Sequence, residues 1–444
     1  MLNLNSKFSN KKFFIYGLGK SGLATFDFLR KINAKIICWD DDSFQKNRVN
    51  KRFYLKNLKE LKKFDFDYIV ISPGINIKDC LLKNFLNKNK NKIITDLDIF
   101  YHFNNKNEII SITGTNGKST TCKLLEEIFK NAGFNVELVG NIGRPFLSLK
   151  KFNKKTLFVI ELSSYQLEYT KYFRSNHSAI LNIFPDHLDR HDNFKKYINA
   201  KLKIFKFQSS KDCAYLNSSN KITKKILKNF KNLKFKSKAN QVNQNRLNRI
   251  FKKIKNPYLL SKNNLENISF TIEIAHKYGI KKSIILKSLN YFKGLHHRQE
   301  QVFESKNLKC INDSKATSFS ATLQSLKTYK NIFWIVGGLP KKNDQFFLKN
   351  VKKNIIKTYI VGKNIIFFKK RLKNQTKFEI SKDLKNAILG IKKDLKFAKK
   401  NIKEKFTILL SPAAASFDQF KNFEERGDRF KKVVKLYKKD LINV

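Results

Sequence analysis

The sequence is poor in the residues that staple, kink or decorate a chain. Its 444 residues include five Cys, six Pro, two Trp and one Met. The five cysteines (Cys38, Cys80, Cys122, Cys213 and Cys310) are odd in number, scattered, and contain no Cys-x-x-Cys pair. That pattern excludes a disulfide framework and a cysteine-built zinc site, and it fits a reducing compartment. No apolar run reaches the 18 residues of a membrane span, and Phe13-Phe-Ile-Tyr16 is too short for a signal-peptide core, so a cytoplasmic protein without membrane insertion is expected. Acidic residues are also scarce, 35 against 92 basic ones, for a formal charge of +57. Only twelve of the basic residues are Arg, and the eighty Lys are spread through every segment. A nucleic-acid binder concentrates its charge in a patch and favours the bidentate fork of Arg for base readout. Dispersed Lys beside abundant Asn, Ile and Phe reads instead as compositional drift, with no nucleic-acid partner expected. The field would still draw anionic substrates.

Hydrophobic content of 41% is ample for packed cores, and the length suggests about three domains at roughly 150 residues each. Apolar runs alternate with helical spacings throughout, which predicts an α/β protein of three consecutive α/β domains without internal repeats. The chain is organised around Thr113-Gly-Thr-Asn-Gly-Lys-Ser-Thr120. A strand over Glu108–Thr113, a glycine turn and a helix from Lys118 to Lys130 form an anion site. Backbone N–H groups converge there, the helix dipole adds positive potential, and Lys118 adds a full charge. Ser119 is placed to help hold Mg²⁺. The general phosphate loop has a glycine five residues before the Gly-Lys, where this chain has Ile112, so the motif is a shortened variant.

An earlier glycine turn, Gly17-Leu-Gly-Lys-Ser-Gly22, follows a strand over Lys11–Tyr16, and a second strand, Lys35–Trp39, ends on Asp40. This is the dinucleotide fingerprint, with an acid set to meet a ribose hydroxyl. NAD, FAD and a UDP-sugar all present the pyrophosphate it would hold. Ser72-Pro-Gly74 ends the next strand. Downstream of the phosphate loop, Glu161 closes an apolar strand where a Mg²⁺-holding carboxylate belongs. Asp186, His187, Asp189 and His191 crowd one loop, and His187 is the best placed of them to meet a metal. Phe194–Phe207 reads as an amphipathic helix containing Lys201. The stretch from Lys206 to about Asn256 is Lys/Asn-rich with poor strand signals and reads as low complexity. Gly294–Glu300 reads as a connector. Strands ending in polar or glycine turns recur at Lys309–Thr317, Asn331–Gly338, Lys357–Gly362 and Phe406–Ser411.

These motifs together resemble the Mur ligases of peptidoglycan synthesis, over nearly the whole chain. Glu161-Leu-Ser-Ser-Tyr-Gln166, Asp186-His-Leu-Asp-Arg190 and His297-Arg298 are shared widely in that family. Ile311-Asn-Asp-Ser-Lys-Ala-Thr317 and Leu410-Ser-Pro-Ala-Ala-Ala-Ser416, running on to Gly427, look like its D-glutamate-adding type. The family's own phosphate loop is the shortened form.

The resemblance implies a Rossmann-like UDP-binding domain over 1–105, a central P-loop-type ATPase over 106–296 and a C-terminal Rossmann-like ligand domain over 297–444. It implies an ATP-dependent amide ligase working through an acyl phosphate, with UDP-N-acetylmuramoyl-L-alanine and D-glutamate as substrates and two Mg²⁺ ions, acting as a monomer. Gly17, Gly19, Lys20, Ser21, Gly22, Asp40, Ser72, Pro73, Gly74, Asn141 and His187 would hold the UDP substrate. Gly114, Thr115, Asn116, Gly117, Lys118, Ser119 and Thr120 would hold ATP, joined by Asn264 and Asn267 on the adenine side and by Arg298 and Asp313 from the third domain. Ser119, Glu161, His187 and a carbamylated Lys201 would serve the metal, with Lys118, His187 and Lys201 as the catalytic set. Lys315, Thr317, Lys341, Ser416 and Phe423 would form the D-glutamate pocket, and the third domain is expected to close over the centre. A nicotinamide dehydrogenase would leave the Gly114–Ser119 loop unexplained. A folate-glutamylating ligase is the nearest competitor, and the Ser411–Phe423 stretch speaks against it.

Overall fold

The computed structural model describes residues 7–149, 155–260, 262–341, 344, 346–398 and 404–443. It is α/β throughout, with three separate sheets. The chain up to Phe292 forms one compact unit and the chain from Lys293 a second. Among the described residues no helix is long and apolar enough to cross a membrane.

The first unit holds two sheets. The first consists of β1 (Lys12–Tyr16), β2 (Lys35–Trp39), β3 (Tyr68–Ile71) and β4 (Ile93–Ile94), parallel and in the order β2-β1-β3-β4. The second consists of β5 (Ile109–Thr113), β6 (Val136–Gly140), β7 (Leu157–Glu161), β8 (His177–Ile180), β9 (Cys213–Asn217) and β10 (Lys238–Val242). It is also parallel, in the order β10-β9-β8-β5-β7-β6. Every residue of β5 and β7 is buried. Helices cover both faces of such a sheet, so its central strands read as continuous apolar runs. The helix Lys118–Asn131 turns Leu124, Leu125, Ile128 and Phe129 into the core, the spacing expected of a one-faced helix. Because β5 lies between β7 and β8, the loops leaving these three strands open side by side at one carboxyl edge, where open α/β sheets bind ligands.

Asp98 welds the first sheet to the second. Its Oδ2 accepts from the Thr95 N–H and caps its own helix, Asp96–Asn104. Its Oδ1 accepts from Thr170 Oγ1 at 2.7 Å, Lys171 N at 2.9 Å and Tyr172 N at 2.8 Å. One apolar cluster continues across the seam, with Phe100 against Phe146 and Phe158.

The second unit is a single sheet of β11 (Glu300–Glu304), β12 (Leu308–Asn312), β13 (Ile332–Gly337), β14 (Ile355–Val361), β15 (Phe378–Lys382) and β16 (Phe406–Leu410). Its order is β11-β12-β16-β13-β14-β15, parallel except for the edge strand β11. The carboxyl ends of β12, β16 and β13 are therefore neighbours, and the loops after them share one edge.

Three expectations are corrected. The Lys206–Asn256 stretch is folded, not low-complexity filler, and supplies β9, the helix Lys221–Lys228 and β10. β10 sits at the sheet edge and buries only Val242, so its residues carry little apolar alternation. The connector ends in a strand, β11, whose antiparallel pairing with β12 lets Glu300 and Gln301 remain polar. The helix from Phe194 stops at Leu202 and continues as a 3₁₀ turn, Lys203–Phe205.

Candidate active site

The loop after β5 is held open by its neighbours. Gly117 has φ of 84°, and a Cβ there would stand 2.0 Å from Asn267 Oδ1, so the turn requires glycine. Asn182, just after β8, splints the loop: its carbonyl accepts from Thr115 N at 3.0 Å and its Oδ1 from Asn116 N at 2.9 Å. Its Nδ2 donates to Glu266 Oε1 at 2.6 Å, linking the loop to the helix that carries Asn264 and Asn267. Asn267 Nδ2 donates to Asn264 Oδ1 at 3.2 Å, and Asn264 Nδ2 to the Tyr258 carbonyl at 2.7 Å. Ser119 and Thr120 are buried in the first turn of the helix.

Two lysines converge on one oxygen of this loop. Lys118 Nζ donates to the carbonyls of Gly114 at 2.8 Å and Thr115 at 2.9 Å. Lys201 Nζ donates to the same Gly114 carbonyl at 2.9 Å, with Thr113 Oγ1 at 3.4 Å and the Tyr197 ring centroid at 4.7 Å. Lys201 is 1% exposed. Burial, and then the neighbouring Lys118 charge, hold its amine well below the usual lysine range.

Glu161 ends β7 with both oxygens buried. Asn141 Nδ2 donates to Oε1 at 2.8 Å, and Oε2 has no partner among the described residues. His187 adopts a left-handed φ of 53°. Its Nδ1 meets the Tyr165 hydroxyl at 2.9 Å and its Nε2 lies 3.4 Å from Asp186 Oδ2. The crowded loop does not converge as a ligand set, because the short helix Leu188–His191 turns His191 inward onto Ser164 Oγ at 3.0 Å. Among the described residues no group of three or more His, Cys, Asp or Glu is arranged to hold a metal. Asn182 and Tyr165 were missed in the sequence: Asn182 sits inside an apolar run, and an aromatic after a strand reads as core.

The earlier glycine turn is equally constrained. A Cβ at Gly22 would lie 1.8 Å from the Gly17 carbonyl, and Gly17 itself has φ of 96°. Ser72 Oγ donates to that same carbonyl at 2.7 Å. Asp40 Oδ2 accepts from Leu18 N at 2.5 Å and Oδ1 from Asp42 N at 2.9 Å, so the acid first shapes the turn itself. Gly19, Lys20 and Gly74 are exposed, while Ser21 and Pro73 are half-buried.

In the second unit the expected residues lie on the loops after β12, β13 and β16. Asp313 is buried and accepts from Ser325 Oγ at 2.6 Å, Ser411 Oγ at 2.9 Å and Gln299 N at 3.2 Å. Burial pushes its carboxyl up to about 6 against these donors. Arg298 is half-buried beside it. Lys315 Nζ stands 5.2 Å over the Phe423 ring. Thr317 is half-buried and Ser416 is 2% exposed. Leu339 and Ala415 exchange backbone hydrogen bonds at 2.8 and 3.0 Å, which ties the Lys341 loop to the Ser416 loop. Lys341 is exposed, and its alternative Lys342 lies outside the described residues.

A family profile for the Mur ligase middle domain matches residues 112–281, the segment that carries this loop, Glu161, His187 and Lys201. The chain is 35% identical to a UDP-N-acetylmuramoylalanine--D-glutamate ligase of Rickettsia bellii, over 95% of this chain and 96% of the relative. It is 36% identical to the enzyme of that name from Elusimicrobium minutum, over 97% and 99%. The chain belongs to the Mur ligase family. The family fold extends to more distant Mur ligases of known structure. The UDP-N-acetylmuramate-alanine ligase MurC of Thermotoga maritima aligns over 97% of this chain and 99% of its own, with a TM-score of 0.56 at 15% identity. MurF of Acinetobacter baumannii aligns over 100% and 93%, with a TM-score of 0.54 at 14% identity.

Proposed function

We propose that this chain adds D-glutamate to UDP-N-acetylmuramoyl-L-alanine at the expense of ATP, giving ADP and phosphate, in the cytoplasmic assembly of peptidoglycan precursors. The observation that carries the reading is the convergence of Lys118 and Lys201 on the Gly114 carbonyl, next to a phosphate loop preformed by Gly117 and Asn182. A carboxylate is a poor electrophile, and phosphorylation to an acyl phosphate makes it reactive toward the amine. In this reading residues 1–105 take the UDP end, 106–296 the ATP, and 297–444 the amino acid, in a chain that acts as a monomer.

The residues present fit a Mg²⁺ site. The unpartnered Glu161 Oε2 is a buried hard oxygen, the donor type this ion selects. Ser119, Glu161, His187 and a carbamylated Lys201 would hold two ions, and Mg²⁺ when bound offsets the repulsion between phosphate and carboxylate and stabilises transferring charge. Among the described residues no three carboxylates, His or Cys gather here, so the ions would draw further oxygens from substrate phosphates and from a modified side chain. A carbamate would supply the missing oxygens: the neutral Lys201 amine adds to CO₂ and releases one proton, and its burial beside Lys118 favours the neutral amine. Lys118 would reach the transferring phosphoryl group by leaving the carbonyls of Gly114 and Thr115.

On the UDP side, Gly17, Gly19, Lys20, Ser21, Gly22, Asp40, Ser72, Pro73, Gly74 and Asn141 would hold the nucleotide-sugar, with backbone N–H groups on its diphosphate. Lys315, Thr317, Lys341, Ser416 and Phe423 would receive D-glutamate. The deciding assay is ADP release in the presence of UDP-N-acetylmuramoyl-L-alanine. Release that depends on D-glutamate and is absent with L-glutamate supports the reading, and release indifferent to the amino acid overturns it.

A further inference from the structure

Among the described residues, the second unit buries a cation with no carboxylate in hydrogen-bonding contact. Arg426 lies in the first turn of the helix Phe423–Leu436 and is 2% exposed. Its guanidinium is satisfied by neutral oxygens alone. Nε donates to Ser314 Oγ at 3.0 Å, Nη2 to the carbonyls of Ser314 at 2.8 Å and Ala414 at 3.0 Å, and Nη1 to the Gly337 carbonyl at 3.4 Å. Burial lowers its pKa to about 10, so it stays charged at neutral pH. Asp418, the acid whose field it feels, forms no ion pair with it among the described residues and accepts instead from Lys363 N at 3.0 Å. Glu425, one residue away, is exposed and caps the Lys421 N–H.

This is an expensive arrangement. Buried charges are normally paired, and the positive end of a helix dipole disfavours a cation in the first turn. An apolar side chain could fill the space but could not reach three loops at once. The acceptors lie on the loops after β12 and β16 and on the last residue of β13, and the loops after β12, β13 and β16 carry Lys315 and Thr317, Lys341, and Ser416 respectively. Phe423 begins the helix that carries Arg426, and its carbonyl accepts from Ser314 Oγ at 2.8 Å. Lys315, Thr317, Lys341 and Ser416 are thus within a few positions of an atom that Arg426 holds, and Phe423 is tied to the same network through Ser314. The excess positive charge lies beneath the edge where a substrate with two carboxylates would arrive.

We propose that Arg426 is a positioning residue for the amino-acid substrate, pinning the three loops of its pocket and supplying the unneutralised positive charge that favours a dicarboxylate. The proposal rests on the reading of the second unit as the D-glutamate side. The full chain is compared with Arg426→Lys, which keeps the charge, and Arg426→Gln, which loses it. Readouts are the KM for D-glutamate and for ATP, kcat, inhibition by glutarate as an amine-free dicarboxylate, and thermal unfolding.

The expected result for Arg426→Gln is a rise of about tenfold or more in the D-glutamate KM and the glutarate inhibition constant, as one lost charge-assisted contact would give. The KM for ATP stays within about twofold, since separate contacts made by other residues are retained. Arg426→Lys recovers only part of the loss, because it keeps the charge but not the guanidinium's hydrogen bonds to separate loops. Equal falls in kcat for both variants with every KM unchanged would show a merely structural arginine and overturn the proposal. If Arg426→Gln does not fold, Arg426→Lys decides: a D-glutamate KM raised alone supports the proposal, and wild-type constants overturn it. A wild-type enzyme whose ADP release ignores D-glutamate would overturn the substrate reading itself, and the proposal with it. Unaltered variants of a D-glutamate-dependent enzyme would overturn only the role of Arg426.

Discussion

Asn141 Nδ2 donates to Glu161 Oε1 at 2.8 Å, and by taking that oxygen it leaves Oε2 as a buried acceptor with no donor among the described residues. The two residues come from the ends of neighbouring parallel strands, with Gly140 in register with Glu161. A buried polar atom without a partner costs about 1–3 kcal/mol. Replacing Glu161 by Gln keeps the shape and removes the anionic donor. The expected outcome is a fall in kcat of roughly 10²–10³, the scale for losing an electrostatic contributor to the transition state. Thermal unfolding should be unchanged or slightly higher, and Mg²⁺ is expected to raise the melting temperature of the wild type but not of the variant. A variant that keeps that Mg²⁺ response would place the ion elsewhere.

Lys201 donates to the carbonyl that Lys118 also uses, and it is nearly inaccessible. A carbamate there would act through its oxygens. Lys201→Ala should therefore lose activity and regain part of it with small added carboxylates such as acetate or formate, which fit the vacated space. Lys118 in the same preparation provides the contrast, since no carboxylate replaces a missing cation. Rescue of neither variant would leave the carbamate without support.

How much of this was legible in the sequence depended on whether local chemistry or tertiary placement decided the residue. The glycine turns were legible because sterics fix them: a Cβ at Gly22 would collide with the Gly17 carbonyl, and one at Gly117 with Asn267. The central strands were legible because both of their faces are covered. β10 was not, because an edge strand of Lys, Asn and Gln buries almost nothing. Lys201 could not be separated from eighty lysines by composition, since its burial comes from packing the helix Phe194–Leu202 behind the loop, and only the family resemblance marked it. Asn182 carried no mark, because its role comes from which strand neighbours β5. Arg426 was visible only as one letter of a motif, because its four acceptors lie on two loops and a strand end far apart in the sequence.

The two nucleotide-type turns stand on different sheets, so their functions should separate. Lys118→Ala should reduce turnover by about 10³ or more, as expected for a group acting on transferring phosphoryl charge. Calorimetric titration with UDP-N-acetylmuramoyl-L-alanine should give a dissociation constant within about twofold of the wild type, because mutations at sites without shared partners act independently. Joint loss of turnover and of this binding would argue that both turns serve one ligand.

Asp96 predicts a pH dependence of stability. It begins the helix Asp96–Asn104 and is 3% exposed; its Oδ1 accepts from Leu97 N at 3.0 Å and its Oδ2 has no partner among the described residues. Burial raises its pKa to about 7, the Leu97 N–H pulls the other way, and the Asp98 charge adds to the rise. The folded protein thus holds a proton on Asp96 that the unfolded chain releases near the ordinary aspartate value of about 4. Where the folded state binds more protons, stability falls as pH rises. The contribution of Asp96 is therefore fully present below about pH 4 and is lost as pH climbs through about 7. Asn cannot ionise and has nearly the same shape. Asp96→Asn should match the wild type in denaturant unfolding at pH 4 to within about 1 kcal/mol, and should exceed it by roughly 1–3 kcal/mol at pH 8, the cost of a poorly satisfied buried polar group. A difference that does not grow with pH would mean that Asp96 is ionised in the folded state at neutral pH and that its Oδ2 finds a partner in solution.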